Sequence, residues 1–477
     1  MTRDDDVQNL LRGLAEWSIA YLEGVGERRV SAGGARAELA TLPERGVGDT
    51  AAVERLRDLA DVRSVASAGP RFFHWVVGGV TPSALAADWL ASTVDQIASS
   101  TTGSPLGVDL EEQAMRWLAE LFDLDADTWS GALTTGATTA NFVGLGAARQ
   151  WWGATHGVDV AESGLAGLPR VPVLSSGFVH ASVEKALAML GLGRGSCERF
   201  ARDNRGTLDV EALRARLAGL EHGPAIVVAT AGEVNSGRFD PIDELADLCA
   251  EHGAWLHVDG AFGLFARVSP RTRTLARGVE RADSIASDAH KWLNVPYDCG
   301  FVLAREKSLL AKTFRLAAPY LPPSTSGGRA VSVPANLVPE CSRRARALPV
   351  FATLLANGRA GVREMVERHL DLAAHLRSRI AEADDLELVD DGELNVVPFR
   401  LAPQGVRRRD LDALNADAGR RVLEDGRVYV GMTRYRSVVC FRPAIANWRT
   451  RTADVDLLVD AVRQSGQRAL RDGVPGP

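Results

Sequence analysis

Four short segments of this 477-residue chain combine side chains that could do chemistry together. In ADSIASDAHKWLNVP, Lys291 follows an apolar-polar stretch and precedes Trp292, which places it at a strand end beside a partly buried wall. Burial lowers a lysine's pKa and frees the neutral amine to attack a carbonyl. D-A-H-K alone is a weak motif, and an arbitrary lysine beside a core tryptophan is usually a surface residue. WLHVD delivers Asp259 into the interior at the end of an apolar run. A buried carboxylate is costly unless a cation faces it, and a protonated heterocyclic nitrogen is such a cation. The competing reading is an aspartate that caps the next turn. In ALTTGATTANFVGLGAARQ, small and hydroxyl residues from Thr134 to Thr139 run into an apolar helical pattern beginning near Asn141. Amides at a helix start, with threonine hydroxyls, make an anion site suited to a phosphate, or an ordinary capped helix. Fourth, SSGFVHASVEKALAML sets His180 ahead of a helix that Ser182 can cap, where a histidine is more often structural.

The four together fit one demand. A cofactor that stabilises a carbanion needs a lysine to hold it, a carboxylate to keep its ring nitrogen protonated, a phosphate cup and something to fix the ring plane.

The elements around these segments alternate. PAIVVATAG reads as a buried strand, FDPIDELADLCAEHGAW as a helix, and WLHVDGA as the returning strand. Asp240 can cap that helix, Pro241 suits its first turn, Ile242, Leu245 and Cys249 share a face, and Gly253 can close it. Strand, helix and strand within ~35 residues form a βαβ unit, hence a mostly parallel sheet covered on both faces. Three regions follow: a helical segment over 1–80 with VGDTAAVERLRDLAD as an amphipathic piece, a large α/β domain over 81–340, and a small α+β domain over 341–477. The last holds a helical run over 343–384 and strand-like LNVVPFRL, RVYVGMT and SVVCFRPAI. The Pro/Gly/Ser-rich stretch from Arg315 reads as a long functional loop.

Composition removes several classes. With 55 basic and 61 acidic side chains the net charge is −6, which argues against nucleic acid or anionic lipid as partner. No stretch approaches the ~20 apolar residues of a membrane span, and the acidic N-terminus is unlike a signal peptide. Five cysteines without a C-x-x-C pair point to a reducing, cytoplasmic compartment. Zinc-ligand spacing and a Walker lysine are absent, so no metal is expected. GLGRG at 191–195 follows a helical run, which excludes a nicotinamide fingerprint.

From about Pro70 to Asp456 the chain resembles the fold-type-I, group II amino acid decarboxylases that use pyridoxal 5'-phosphate. The likeness is most specific in HVDGAFG, SDAHKWLNVPYDCG, VHASVEKA and TTGATTAN, and nearest to bacterial members grouped with aromatic-amino-acid and glutamate decarboxylases. Asp259 and Lys291 stand 32 positions apart (291 − 259), each inside its family motif. The resemblance implies that Lys291 is the imine-forming lysine, Asp259 the partner of the pyridine nitrogen, and His180 the imidazole on the cofactor ring. Ala261 would pack on the other face, Ala137 and Thr138 would bind the phosphate, and His290 would be a further cofactor or acid-base contact. Arg442 would receive the substrate carboxylate, with Trp75 and Ser99 lining the substrate pocket. A homodimer with shared active sites is implied as well.

Two departures bear on the outcome. The loop from Leu321 to Arg344 has no tyrosine, Tyr320 lying just outside, whereas aromatic-amino-acid decarboxylases carry one there for protonation; Val333, Pro334 or Leu337 would match it. Ser99 replaces a large aromatic of the aromatic-specific relatives. The expected reaction is decarboxylation of an L-amino acid, aromatic or hydrophobic, to the amine. The alternatives are decarboxylation coupled to oxidative deamination, giving an aldehyde, a carbon–carbon lyase of the same family, or a binding protein that kept the fold.

Overall fold

A computed structural model describes residues 3–32, 41–317, 319, 325–326, 329–330 and 332–473 of the chain. It divides into two compact units, one of Gly78–Ala373 with Asp390–Val397, the other of Met1–Val77, Ala374–Val389 and Pro398–Pro477.

The first unit is built on seven strands. In chain order its principal elements are β1 (Ser130–Thr134), α1 (Ala137–Thr155), β2 (Val173–Ser175), α2 (Ala181–Met189), β3 (Cys197–Arg199), β4 (Ile226–Thr230), α3 (Ile242–His252), β5 (Trp255–Asp259), β6 (Ser284–Asp288) and β7 (Gly300–Ala304). The strands lie in the order β1-β7-β6-β5-β4-β2-β3. β3, β2, β4, β5 and β6 run parallel, and β7 alone opposes both its neighbours. β4 and β5 are buried at every residue, as continuous apolar strands covered on both faces must be. Helix α1 covers one face, and Ala140, Val143, Leu145 and Trp152 join Val173, Val228, Ala286 and Val302 in its core.

The expected βαβ unit is present as β4, α3 and β5, with Ile242, Leu245 and Cys249 buried and Gly253 closing α3 at φ 60°. Asp240 does not cap α3. Its carboxylate turns back to accept the Thr230 amide at 2.7 Å, inside the sheet rather than over the helix end. Burial there pushes its pKa up to about 7, with Glu233 adding to the rise. Helix α1 starts at Ala137, four residues before the apolar pattern becomes visible. The helical run expected over 343–384 is Ala347–Ala381, interrupted at Gly358, whose φ of 57° is left-handed.

β1 is the end strand, so its outer edge would expose free amide and carbonyl groups. A buried ion pair covers it. Arg343 grips Glu111 through two N–H···O bonds of 3.0 and 2.6 Å. The Glu111 carboxylate accepts the Leu133 amide at 2.9 Å, while Arg343 donates to the Leu133 carbonyl at 2.8 Å and the Ala98 carbonyl at 3.0 Å.

The second unit has a four-stranded antiparallel sheet of β8 (Leu386–Leu388), β9 (Phe399–Leu401), β10 (Met432–Tyr435) and β11 (Val438–Phe441), in the order β8-β9-β11-β10. Helices Leu411–Asp425 and Thr452–Asp472 pack together within it. Phe72 and Phe73 pair in parallel with Tyr429 and Val430. The amphipathic piece forms the helix Asp49–Arg63, but it buries no residue and leaves Leu56 and Val62 exposed.

Arg343→Met should lower stability by about 3–5 kcal/mol in chemical denaturation, because it leaves Glu111 as an unpaired buried charge. Asp240 binds its proton more tightly folded than unfolded. Its contribution is therefore complete below the ordinary carboxylate range and is lost as pH rises through about 7. Asp240→Asn, which keeps an acceptor for Thr230, should flatten the stability profile across that window.

Candidate functional site

The carboxyl ends of the parallel strands open into a cavity of about 530 Å³. Seven residues singled out from sequence line it together: Ala137, Thr138, His180, Asp259, Ala261, His290 and Lys291. In open sheets of this kind ligands bind at the carboxyl edge, where strand ends, loops and helix starts converge.

Gly136 turns the chain from β1 into α1 with a φ of 151° and no side-chain cap of its own, and Ala137, Thr138 and Thr139 of the first turn line the cavity. A Cβ at Gly136 would stand 3.3 Å from the His290 ring and 3.4 Å from the Asp288 carboxylate. The turn is crowded on its inner side and needs glycine. Thr135 and Thr139 hydroxyls bond each other at 2.8 Å across this start.

Lys291 follows β6, and its ammonium lies 2.9 Å from Asp288 Oδ2. The same carboxylate accepts the Ala137 amide at 2.5 Å through Oδ1, with His290 Nε2 at 3.5 Å. Asp288 thus ties the lysine, the start of α1 and a histidine to one buried charge. His290 accepts the Cys299 amide at Nδ1, 3.2 Å away, so its ring proton sits on Nε2, toward Asp288. Burial lowers the His290 pKa, against the pull of Asp288. The Tyr297 ring lies 4.2 Å from the His290 ring, and Tyr297 also lines the cavity.

Asp259 ends β5, paired in register with Thr230 on β4 and Ala286 on β6. It is 4 % exposed, and its carboxylate accepts Asn141 Nδ2 at 3.1 Å and the Ala261 amide at 3.2 Å. His180 is itself the N-cap of α2, Nδ1 accepting the Ser182 amide at 3.2 Å.

The remaining sequence candidates are not among the lining residues. The Ser99 carbonyl accepts the Ala335 amide at 3.2 Å. Trp75 and Arg442 belong to the second unit. Trp75 is 63 % exposed at a φ of 51°; Arg442 is buried just after β11. There its guanidinium, after burial, helps push His74 down to about 4. Tyr320 and Leu321 lie outside the described residues, while Pro334 and Leu337, two of the three loop matches, are buried.

Sequence reasoning missed Asp288, Asn141 and Tyr297. Asp288 was legible as a charge ending a second buried strand, three positions before Lys291. Asn141 and Tyr297 stood inside quoted motifs, but nothing local shows what they face.

The set fits a phosphorylated carbonyl compound with a ring nitrogen. The first turn of α1 suits the phosphate, Lys291 is the one lysine of the described lining, and Asp259 supplies a buried carboxylate already held by two donors. His180 and Ala261 both border the space for the ring. Among the described residues no group of His, Cys, Asp and Glu could hold a metal ion, and no helix is long and apolar enough to cross a membrane.

Comparison with known proteins agrees. Residues 57–402 match the pyridoxal-dependent decarboxylase conserved domain. An aromatic-L-amino-acid decarboxylase of Bacillus atrophaeus is 30% identical over 392 residues, 81% of this chain and 79% of that protein. The acidic amino acid decarboxylase GADL1 of Mus musculus is 29% identical over 417 residues, 85% of this chain and 75% of its own length. A crystal structure of Oryza sativa TDC with PLP and tryptamine superposes with a TM-score of 0.89 at 24% identity, covering 97% of this chain and 98% of that one, a likeness of fold. With the carboxyl-edge cavity and its lysine, these matches establish that the chain belongs to the pyridoxal-dependent decarboxylase family and is a carboxy-lyase acting on an amino acid.

Proposed function

We propose that this cavity decarboxylates an aromatic or hydrophobic L-amino acid to its amine, with Lys291, Asp259 and His180 as the principal groups. The observation that carries the reading is the convergence of Lys291, Asp259 and the start of α1 on one cavity. Pyridoxal 5'-phosphate supplies the electron sink for the pair left when the bond from Cα to the carboxylate breaks.

The chain's own residues do the rest. Lys291 would hold the cofactor, and Asp288 would balance the charge of its ammonium when it is free. Asp259 keeps the ring nitrogen protonated, which favours electron flow into the ring. His180 and Ala261 fix the ring plane, and the start of α1 at Ala137 and Thr138 takes the phosphate, with the Ala137 amide released from Asp288 to do so. Arg442, by its resemblance to the family's carboxylate-binding arginine, is the proposed ligand of the substrate carboxylate. Trp75 and Ser99 are assigned to substrate side-chain selection on the same resemblance.

The side-chain class rests on the lining. Phe178, Val179, Val234 and Phe262 are apolar, and Arg199 is matched by Glu184. Among the described lining residues no unmatched cation waits for an acidic side chain. We further propose a cytoplasmic homodimer with shared active sites, which the family resemblance and the five free cysteines support.

Protonation at Cα decides between amine and aldehyde. Pro334 and Leu337 are buried and carry no proton donor. His290 and Tyr297, adjacent on the cavity wall, are the proposed replacements. If they protonate slowly, dioxygen competes as a two-electron oxidant and is reduced to hydrogen peroxide, and hydrolysis gives aldehyde and ammonia beside the amine.

Borohydride reduction of the holoenzyme should leave the cofactor on the peptide containing Lys291; a label on another lysine, or none, overturns the assignment. Turnover in air should give mainly amine with a minor aldehyde fraction that disappears under argon, and Tyr297→Phe should raise the aldehyde share about tenfold. Aldehyde equal to carbon dioxide in the unmodified enzyme would reverse the main reading. An unchanged share in Tyr297→Phe would remove Tyr297 from the proton transfer.

A further inference from the structure

Behind the cavity wall, away from any ligand, a chain of hydrogen bonds joins two of the site's polar groups. It begins on β5, where residues 255, 257 and 259 project from one face because strand side chains alternate. Trp255 and His257 therefore stand in line with Asp259, beneath helix α1. His257 is fully buried.

The direction of the bonds is set by the two ends of the run, an indole that can only donate and the Asp259 carboxylate, which accepts and so turns the Asn141 oxygen to His257. Indole nitrogen only donates, so Trp255 Nε1 gives its proton to Ser284 Oγ at 3.1 Å. Ser284 then points its own proton at His257 Nδ1, 2.8 Å away. With Nδ1 accepting, the ring proton of the neutral imidazole sits on Nε2 and goes to Asn141 Oδ1 at 2.9 Å. That fixes the amide of Asn141 with its nitrogen outward, donating to Asp259 Oδ2 and to Ser182 Oγ, each at 3.1 Å. Ser182 Oγ in turn meets His180 Nδ1 at 2.6 Å. The run starts at a donor that cannot reverse and ends at two acceptors, one on Asp259 and one on His180.

We propose that His257 is a positioning residue: its Nε2–H locks Asn141 as a donor, so that the Asp259 carboxylate and the Ser182–His180 pair each keep an N–H facing them. This rests on the assignment of Asp259 to the cofactor's ring nitrogen. Without the Nε2 donor, Asn141 is free to turn its carbonyl toward Asp259, replacing an attraction by a repulsion and favouring the protonated acid. The relay is constant over the working range, since burial pushes the His257 pKa down to about 3. The described groups bonded to His257 are neutral, Ser284 from β6 and Asn141 from α1, and Asp259 is reached only through Asn141. The closeness of α1 is specific as well. A Cβ at Gly144 would lie 2.7 Å from the His257 Cε1 and 2.9 Å from Nδ1. Glycine at 144 is what lets the ring occupy this position.

The test is a pH titration of the holoenzyme's near-visible absorption, with cofactor retention measured by equilibrium dialysis. His257→Leu should move the titration midpoint by about one unit and weaken retention about tenfold. His257→Gln, which offers one donor and one acceptor in similar places, should restore both to within about threefold. Gly144→Ala keeps every polar group but displaces the ring, and should move the midpoint in the same direction as His257→Leu. If His257→Leu does not fold, the Gly144→Ala and His257→Gln pair decides. A wild-type titration in either His257→Leu or Gly144→Ala, or a His257→Gln no better than the leucine variant, overturns the relay. Asp259→Asn in the same assay separates the two readings. If it shifts the titration while the relay variants do not, only the relay fails; if it too leaves the titration unchanged, the ring-nitrogen assignment fails.

Discussion

Two carboxylates at the ends of buried strands impose the main constraint on this molecule. Asp259 and Asp288 close β5 and β6 at the edge of an apolar sheet, where an unmatched charge would cost several kcal/mol. Each is answered by donors from a different element. Asp259 takes Asn141 from α1 and the amide of Ala261, and Asp288 takes Lys291 and the first amide of α1. Helix α1 therefore serves both charges, and its placement across the sheet is what lets two acidic side chains sit a strand apart. The turn at Gly136 and the small residue at Gly144 follow from the same closeness.

Much of the architecture was readable because it is written locally. β4, α3 and β5 each carry their period and their punctuation within a few residues, and a βαβ unit fixes a parallel sheet with little further choice. Lys291, Asp259, His180 and the run before Asn141 were readable for a similar reason, each sitting in a short string with its own strand end or helix start. Their assembly in one cavity follows from topology, since successive parallel strands present their carboxyl ends on one side.

What escaped was the identity of partners. Asp240 has the residue type and position of a helix cap, yet its carboxylate finds the Thr230 amide on the strand behind it. The helix Asp49–Arg63 has a helical period but buries none of its residues, because periodicity says that a face exists and not what covers it. Asp288, Asn141 and His257 lay in quoted motifs and went unread for the same cause. Several of their decisive bonds reach groups between 41 and 151 positions away, which no short window of sequence contains.

The end strand has a consequence for how the protein is made. β1 leaves the ribosome early, but its only strand neighbour is β7, and Thr134 pairs with Gly300, 166 positions later (300 − 134). Arg343, which seals the opposite edge, is synthesised later still. For those 166 residues, about a third of the 477-residue chain, the nascent chain therefore carries a strand with both edges unsatisfied. Such non-local pairing slows folding and leaves an unpaired strand edge exposed until Gly300 and then Arg343 have been made.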